Sequence, residues 1–432
     1  MDKKIVIIGG GPAGVEAAKS AARHGARVTL VSNEEIGGRA IWHSLLPSKK
    51  WLKAARQGDK AFSRLLQRID TAKKQWTTYN KKWLEEHRVE IVYGHARYMH
   101  ARRIDVYAAD NTKLDELCPD ASIIASGSRP VFPEGLQPDG KRVIAPRFLS
   151  RLKHLPDSMI VIGGGVTGTE SAYLFSAFGV KVTWLWDAYG LLPGFDADIR
   201  KFLAEGLKHP ALDIKHPATA IHIERHPDNV RVQTREGAAY TADMAFVAVG
   251  RNGDVAQLGL NVLADEPTET VHLEVDGYGR TQFEGIYAAG DVVNRRKIAN
   301  QAMAQAYIAG AHAAGAEPEP FDPQAIISAV YSEPPLAQVG MLSGPDIRTH
   351  ITTYKAGLLP HIYQENGRIK LAVRSDGTLS GMAACGPQAP DIITPAAMMI
   401  RTKWPLKKME SFFAASPTHS ELFFEALRNS GF

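Results

Sequence analysis

Residues 5–14 read Ile-Val-Ile-Ile-Gly-Gly-Gly-Pro-Ala-Gly, and residues 159–168 read Met-Ile-Val-Ile-Gly-Gly-Gly-Val-Thr-Gly. Each is a short apolar strand that runs into a G-x-G-x-x-G turn. Each turn is followed by a helical stretch, Val15–His24 or Thr169–Phe178, and a second strand, Ala26–Ser32 or Lys181–Trp186. That is a β-α-β unit written twice, with Gly9 and Gly163 154 positions apart. In such a unit the first glycine permits the tight turn and the second lets backbone approach a pyrophosphate. The third lets the helix pack on the strand, so that the helix N-terminus faces the anion. Gly9, Gly11, Pro12, Ala13 and Gly14 are the candidate contacts of the first site, and Gly163, Gly165 and Gly168 those of the second. One match would be a weak signal, but two with the same flanks imply two dinucleotides. FAD with a nicotinamide nucleotide is the economical pair, since a flavin needs a reductant.

The rest of the chain fits around these units. The length of 432 residues suggests about three domains. Ser48 to about Glu86 reads as helical with a break near Gly58, and 89–110 as short strands. The apolar run 121–125 precedes Ser126-Gly127-Ser128, strands follow around 213–250, and another strand ends at Gly290-Asp291 before a helix at Asn300–Ala314. The proline-rich stretch 315–324 is the best linker. Beyond it, strand-like runs at 326–331, 369–373 and 379–385 precede helices near 389–402 and 405–413, an α+β domain. With 44% hydrophobic and 22% charged residues the chain is ordinary for a globular protein. It has no apolar run of about 18 residues, so no membrane insertion is expected, and its start does not resemble a signal peptide. Two cysteines, Cys118 and Cys385, exclude a disulfide framework and a cysteine-rich metal site. The expected location is the cytoplasm and no metal is expected. The net charge of +5 is modest and concentrated in the stretch Lys49–Lys82. That stretch reads as a solvated helix pair or as a docking surface for an anionic partner, with no nucleic-acid role expected.

Several further segments resemble the pyridine nucleotide-disulfide oxidoreductases, the family of dihydrolipoamide dehydrogenase and glutathione reductase. Gly37-Gly38 followed by Leu46-Pro47-Ser48-Lys49 is similar to the flavin-facing segment, Gly94-His95-Ala96 to the adenine-contacting turn, and Ala125-Ser126-Gly127 to the strand end beside FAD. Leu191-Leu192-Pro193 with Asp196 resembles the segment after the second nucleotide strand, and Ala248-Val249-Gly250-Arg251 the close of the NAD domain. Tyr287-Ala288-Ala289-Gly290-Asp291 resembles the flavin signature whose aspartate takes the ribityl hydroxyls, and Ala299 falls at a flavin-contacting position. The resemblance implies an α/β fold with two Rossmann-like domains plus a C-terminal α+β dimerisation domain. The FAD domain would comprise residues 1–154 and 272–316, the NAD(P) domain 155–271, and the interface domain of a homodimer 317–432.

The departures from the family concern the thiol chemistry. Ala40 and Leu45 stand where the redox cysteine pair would lie, and neither can form a thiolate or a disulfide. The family's C-terminal His-Pro-Thr reads Ser416-Pro417-Thr418, although the position of its orienting glutamate is kept as Glu421, and His419 lies three residues away from the missing histidine. Cys118 and Cys385, in or beside apolar runs, read as small packed side chains. The other half-reaction is intact. Lys49 matches the lysine beside flavin N5, and Glu170 the glutamate that pairs with it, which implies hydride transfer from nicotinamide to flavin. The family's aromatic lid falls near Val166.

Other positions leave alternatives open. Counting 23 from Gly9 reaches Ser32 rather than an acid, so Ser32, Glu34 or Glu35 could meet the FAD ribose, or the glutamates could be plain surface residues. The same count from Gly163 reaches Trp186, followed by Asp187, a ribose ligand or a turn residue. Residues 184–199 hold no Lys or Arg, so NADH is expected over NADPH. His43 is a candidate proton donor or a structural histidine, and Trp42 could stack on a ring substrate or pack in the core. The activity expected is NADH oxidation through FAD to a non-disulfide acceptor such as a quinone or protein carrier. The alternatives are a flavin-binding electron-transfer subunit with little turnover alone and a degenerate relative without FAD.

Overall fold

The computed structural model describes residues 2–59, 61–152, 154–263 and 272–432. The first unit opens with β1 (Lys4–Ile8), α1 (Pro12–Arg23) and β2 (Arg27–Ser32). Three helices follow, α2 (Gly38–His43), α3 (Leu45–Arg56) and α4 (Phe62–Glu86), then β3 (Glu90–Tyr93). An antiparallel three-stranded excursion, β4 (His95–His100), β5 (Arg103–Tyr107) and β6 (Lys113–Leu117), leads to β7 (Ala121–Ile124) and the short β8 (Ser128–Pro130). The second unit contains β9 (Val143–Ile144), β10 (Ser158–Ile162), α5 (Val166–Ala177), β11 (Lys181–Leu185), α6 (Ala197–Gly206) and β12 (Leu212–Lys215). A second three-stranded excursion, β13 (Ala220–Arg225), β14 (Val230–Thr234) and β15 (Ala239–Ala242), precedes β16 (Met244–Val247). β17 (Arg251–Gly253) brings the chain back, and β18 (Ile286–Ala288) and α7 (Ala299–Ala313) complete the first unit.

The two large sheets are parallel and equivalent, ordered β18-β7-β1-β2-β3 and β12-β11-β10-β16-β9. Strands covered on both faces read as unbroken apolar runs, which is why Ile5–Ile8 and Met159–Ile162 are buried throughout. α1 and α7 pack closely because their contact is built from small residues. A Cβ at Gly310 would lie 2.5 Å from the Ala17 carbonyl oxygen. The third unit is an antiparallel sheet ordered β19 (Ser328–Val330), β20 (Leu336–Gly340), β23 (Leu379–Cys385), β22 (Arg368–Arg374), β21 (Ile347–Thr353). Four helices accompany it: α8 (Leu359–Tyr363), α9 (Ala389–Ile392), α10 (Thr394–Thr402) and α11 (Glu421–Arg428).

Several details differ from the sequence reading. β9 joins the second sheet beside β16, upstream of the expected junction at 154/155. The two chain crossings between the units form an antiparallel ladder, with Arg251 opposite Pro130 and Gly253 opposite Ser128. After it, Leu258 and Leu260 already pack with Val6 and Ile8 of the first unit. The second sheet therefore spans 143–247, whereas residues 264–271, at the expected end of that domain, lie outside the described residues. The helix expected at 405–413 is a 3₁₀ turn over Leu406–Met409, leaving Phe412 and Phe413 exposed. α2, β20, β21 and α11 had no counterpart in the sequence reading.

Candidate functional site

Both glycine turns are built alike. Gly9 (φ +115°) and Gly163 (φ +122°) occupy the left-handed region where a side chain is strained. A Cβ would lie 2.4 Å from the Ala125 carbonyl oxygen at the first and 2.4 Å from that of Ala248 at the second. A Cβ on Gly14 would fall 1.7 Å from the Gly9 oxygen, and one on Gly168 1.9 Å from the Gly163 oxygen, so each third glycine is where helix meets strand. Gly11 and Gly165, at the start of α1 and α5, face open space with nothing within 4 Å, as do Gly127 and Gly250 at the neighbouring chain ends. Open cradles at these four positions are what two dinucleotides require.

Around the first cradle the structure gathers residues from distant parts of the chain. Gly38, at the start of α2, comes within 3.0 Å of Gly11, measured from the position of a Cβ. Gly290 packs between Ala13 and Ala302 of α7, and Ala299, the first residue of α7, lies one turn before Ala302. Asp291 accepts a bond from the Ser128 hydroxyl on Oδ2 (2.5 Å), and Arg251 holds the same serine through Oγ (2.8 Å) and its carbonyl (2.7 Å). Burial pushes the Arg251 pKa down, and the charge of Asp291 opposes that shift. Ser126 donates to the Asp254 carbonyl (2.7 Å). Arg39, beside Ala40, bonds the Ser126 carbonyl (2.8 Å) and the Asp254 carboxylate (2.7 Å), which Arg129 shares. The sequence reading had no part for Arg39 and Asp254, because they are 215 residues apart.

The acidic alternatives at the end of β2 separate clearly. The Ser32 hydroxyl is spent on the Glu34 carbonyl (2.7 Å), and exposed Glu35 pairs with Tyr93 and Lys81. Glu34 keeps one buried carboxylate oxygen with no partner among the described residues, an acceptor in need of a donor. The turn at Gly94 is tied to the Ser32 carbonyl (2.9 Å) and leads to buried Ala96. A ribose hydroxyl fits the Glu34 oxygen, and a ribityl chain fits Asp291, so the residues present fit FAD.

At the second site, Asp187 accepts from the Tyr189 N–H (3.0 Å), a turn contact. Trp186 stacks on His216 at 4.6 Å and 18°, a ring delivered by the end of neighbouring β12. Asp196 caps α6 and bonds Lys370 of β22 (2.8 Å), so its charge is already matched.

Between the units, Lys49 of α3 and Glu170 of α5 meet. The ammonium lies 2.7 Å from both carboxylate oxygens, with Glu170 9% exposed and Lys49 32% exposed. The Tyr331 N–H also donates to Glu170 (2.9 Å), and the Tyr331 ring covers the ammonium at 4.3 Å. Helix α2 carries Ala40 and half-buried His43, and Leu45 starts α3. Trp42 turns inward: its N–H bonds the Ile36 carbonyl (3.1 Å) and its ring faces Lys73 of α4. Both contacts are those of a packing residue, and the side chain is half-buried. In the third unit His419 pairs with Glu365 (2.6 Å), and Glu421 keeps a buried oxygen without a partner among the described residues. Cys118 is exposed and Cys385 buried, and neither is in a disulfide. Among the described residues no three metal-ligating side chains cluster, and no helix is long and apolar enough to cross a membrane.

Residues 3–307 match the pyridine nucleotide-disulphide oxidoreductase family, and residues 326–427 match its dimerisation domain. The chain belongs to the pyridine nucleotide-disulfide oxidoreductase family. It is 29% identical to a dihydrolipoyl dehydrogenase of Bacillus subtilis over 98% of this chain and 96% of that one. It is 30% identical to that of Chlorobaculum parvum over 98% and 96%. Among solved structures, LpdA of Mycobacterium tuberculosis superposes with a TM-score of 0.91 at 28% identity, covering 99% of both chains. The HOCl-induced flavoprotein disulfide reductase RclA of Escherichia coli does so with 0.85 at 26%, covering 98% and 99%. The two Rossmann-like domains, the third α+β domain and the pair of cofactors, FAD and NAD(H), are those of this family.

Proposed function

We propose that this chain is a homodimeric, dihydrolipoamide dehydrogenase-like flavoenzyme that oxidises NADH through FAD and hands the electrons to a non-disulfide acceptor, a quinone or a protein carrier. One observation carries the reading. The Lys49–Glu170 ion pair is assembled across two units at 2.7 Å, while Ala40 and Leu45 leave the adjoining segment without a sulfur. When bound, FAD supplies the two-electron step, taking a hydride from the reduced nicotinamide.

The chain's own residues do the rest. Gly11 and Gly127 leave room for the flavin nucleotide, with Asp291 and Glu34 as acceptors for its hydroxyls. Gly165, Gly168 and Gly250 frame the nicotinamide nucleotide. Glu170 holds the Lys49 ammonium at 2.7 Å and offsets its charge, fixing the position of a cation where α3 meets α5. His43, on the helix that bears Ala40, is the proton source for an acceptor that needs one. Passing electrons to a disulfide needs a nascent thiolate and a second thiol, which Ala40 and Leu45 do not supply. The match to a dimerisation domain, together with exposed Leu358, Ile362, Tyr363, Met398, Trp404 and Phe413 in that domain, supports a dimer.

Anaerobic titration tests the reading. NADH is expected to bleach the flavin with two electrons per FAD, without a long-wavelength thiolate-to-flavin band. Quinones should then reoxidise it, while lipoamide and glutathione disulfide should not. A four-electron titration, or disulfide turnover abolished by replacing Cys118 or Cys385, would overturn the proposal.

A further inference from the structure

The Lys49–Glu170 pair has a neighbour from the third unit. Tyr331 directly follows β19, and the face of its ring lies 4.3 Å from Lys49 Nζ. Its N–H donates to Glu170 Oε1 at 2.9 Å, the oxygen that also receives Lys49 at 2.7 Å. The same segment is tied to α3 a second time. Arg56 Nη2 donates to the Tyr331 and Ser332 carbonyls, 3.0 Å each, and its guanidinium pairs with Glu333 at 3.2 Å. Lys49 and Arg56 are seven residues apart on one helix and so share a face. The 331–333 segment is therefore stapled to α3 at two points, with the ring over one cation and the carbonyls over the other.

We propose that Tyr331 is a positioning residue for electron input, and that through it the C-terminal domain holds Lys49 in place. The proposal rests on the reading of Lys49 and Glu170 given above. A lysine ammonium on a four-carbon stem has many rotamers, and a carboxylate alone limits them less than a carboxylate on one side with a ring face on the other. The ring attracts the cation electrostatically through its face. Partial burial of a residue that keeps 37% of its surface exposed, with the charges of Glu170 and Asp391, pushes the Tyr331 pKa up, so the ring stays neutral and does not add a second anion beside Glu170. Val166, one turn before Glu170 on α5, is aliphatic. The aromatic face at the Lys49–Glu170 pair comes from the third unit.

The test uses the full-length FAD-loaded protein with Tyr331→Leu and Tyr331→Phe, each in the wild-type and Lys49→Met backgrounds. The readouts are the anaerobic rate of flavin reduction by NADH, the midpoint potential of the bound flavin and the FAD content. Tyr331→Leu is expected to slow reduction by about two- to thirty-fold, the range of a partly desolvated cation–ring contact. It should also lower the midpoint potential, with FAD content unchanged. Tyr331→Phe, which keeps the ring, should restore the rate to within about twofold. In the Lys49→Met background Tyr331→Leu should add less than about twofold, because Tyr331 acts through the lysine. If Tyr331→Leu loses FAD, the unbranched Tyr331→Met is read in the same way. The proposal is overturned if Lys49→Met slows reduction but Tyr331→Leu changes neither rate nor potential. It is also overturned if the Tyr331→Leu effect persists undiminished without the lysine. Wild-type reduction by Lys49→Met would instead overturn the underlying reading of the ion pair.

Discussion

Replacing Glu170 with alanine removes three contacts at once: both 2.7 Å contacts from Lys49 and the 2.9 Å bond from the Tyr331 N–H. Removing one member of a buried ion pair costs about 3–5 kcal/mol, chiefly because the other charge is left uncompensated. Lys49 is a third exposed, so water can replace part of the lost partner, which lowers the expectation to about 2–3 kcal/mol. The stranded Tyr331 N–H adds about 1 kcal/mol. If about half of the total is expressed in the electron-input step, flavin reduction slows by about ten- to thirtyfold, since each 1.36 kcal/mol is a factor of ten. Glu170→Gln keeps an acceptor for the Tyr331 N–H and loses only the charge, so it should fall between wild type and Glu170→Ala. The assay is anaerobic stopped flow at saturating NADH, with FAD content and thermal release of flavin measured in parallel. Reduction by Glu170→Ala within twofold of wild type, in protein with full FAD content, would refute this reasoning.

Three further outcomes follow from other parts of the molecule. Asp291→Ala, which also strips the Ser128 hydroxyl of its acceptor, should weaken FAD binding at least about tenfold, measured as flavin retained after dialysis against apoprotein. Lys370, buried in the third unit, reaches Asp196 and Asp198 of the second at 2.8 and 2.7 Å. Burial pulls its pKa down, but the bonds to the two aspartates outweigh burial and leave it raised above 10.5. A raised pKa in the folded state gives stability that is complete below pH 10.5 and disappears as the pH climbs through the folded value. Wild type should therefore lose thermal stability on the alkaline side of pH 10.5, and Lys370→Met should be less stable at neutral pH and lack that loss. Equal melting curves for the two proteins from pH 7 to 11 would rule this out. Cys118→Ser and Cys385→Ser should leave the rate of flavin reduction within twofold, because Cys118 is exposed on the excursion after β6 and Cys385 is the buried last residue of β23 in the third unit.

The parts of the fold that could be read from sequence are those where one residue type has a single steric use. Gly9 and Gly163 need positive φ, Gly14 and Gly168 leave no room for a methyl group, and the apolar runs beside them must be strands covered on both faces. Lys49 and Glu170, 121 residues apart, were paired by resemblance, and the structure brings them together. What stayed hidden depends on strand order or on choices between equivalent side chains. No pattern connects Arg39 to Asp254 or Tyr331 to Glu170, because each contact joins segments far apart in the chain that meet only in the folded structure. Helix α2 is six residues long and opens on two glycines, too short to show a period and poor in helix propensity, so packing rather than local preference forms it. Which of Ser32, Glu34 and Glu35 keeps a buried acceptor open depends on the atoms its neighbours have already used, a hydrogen-bond accounting that needs coordinates. The ladder that joins the two units is hidden in the sequence for a related reason. The crossing strands β8 and β17 are three residues each, and they are strands only because they pair with one another across 123 positions of chain. The same logic separates the two halves of the chemistry. That positions 40 and 45 hold alanine and leucine can be read letter by letter. The Lys49 cation, proposed to serve electron input, is held by one residue from each of the other two units, so its geometry depends on the docking of all three.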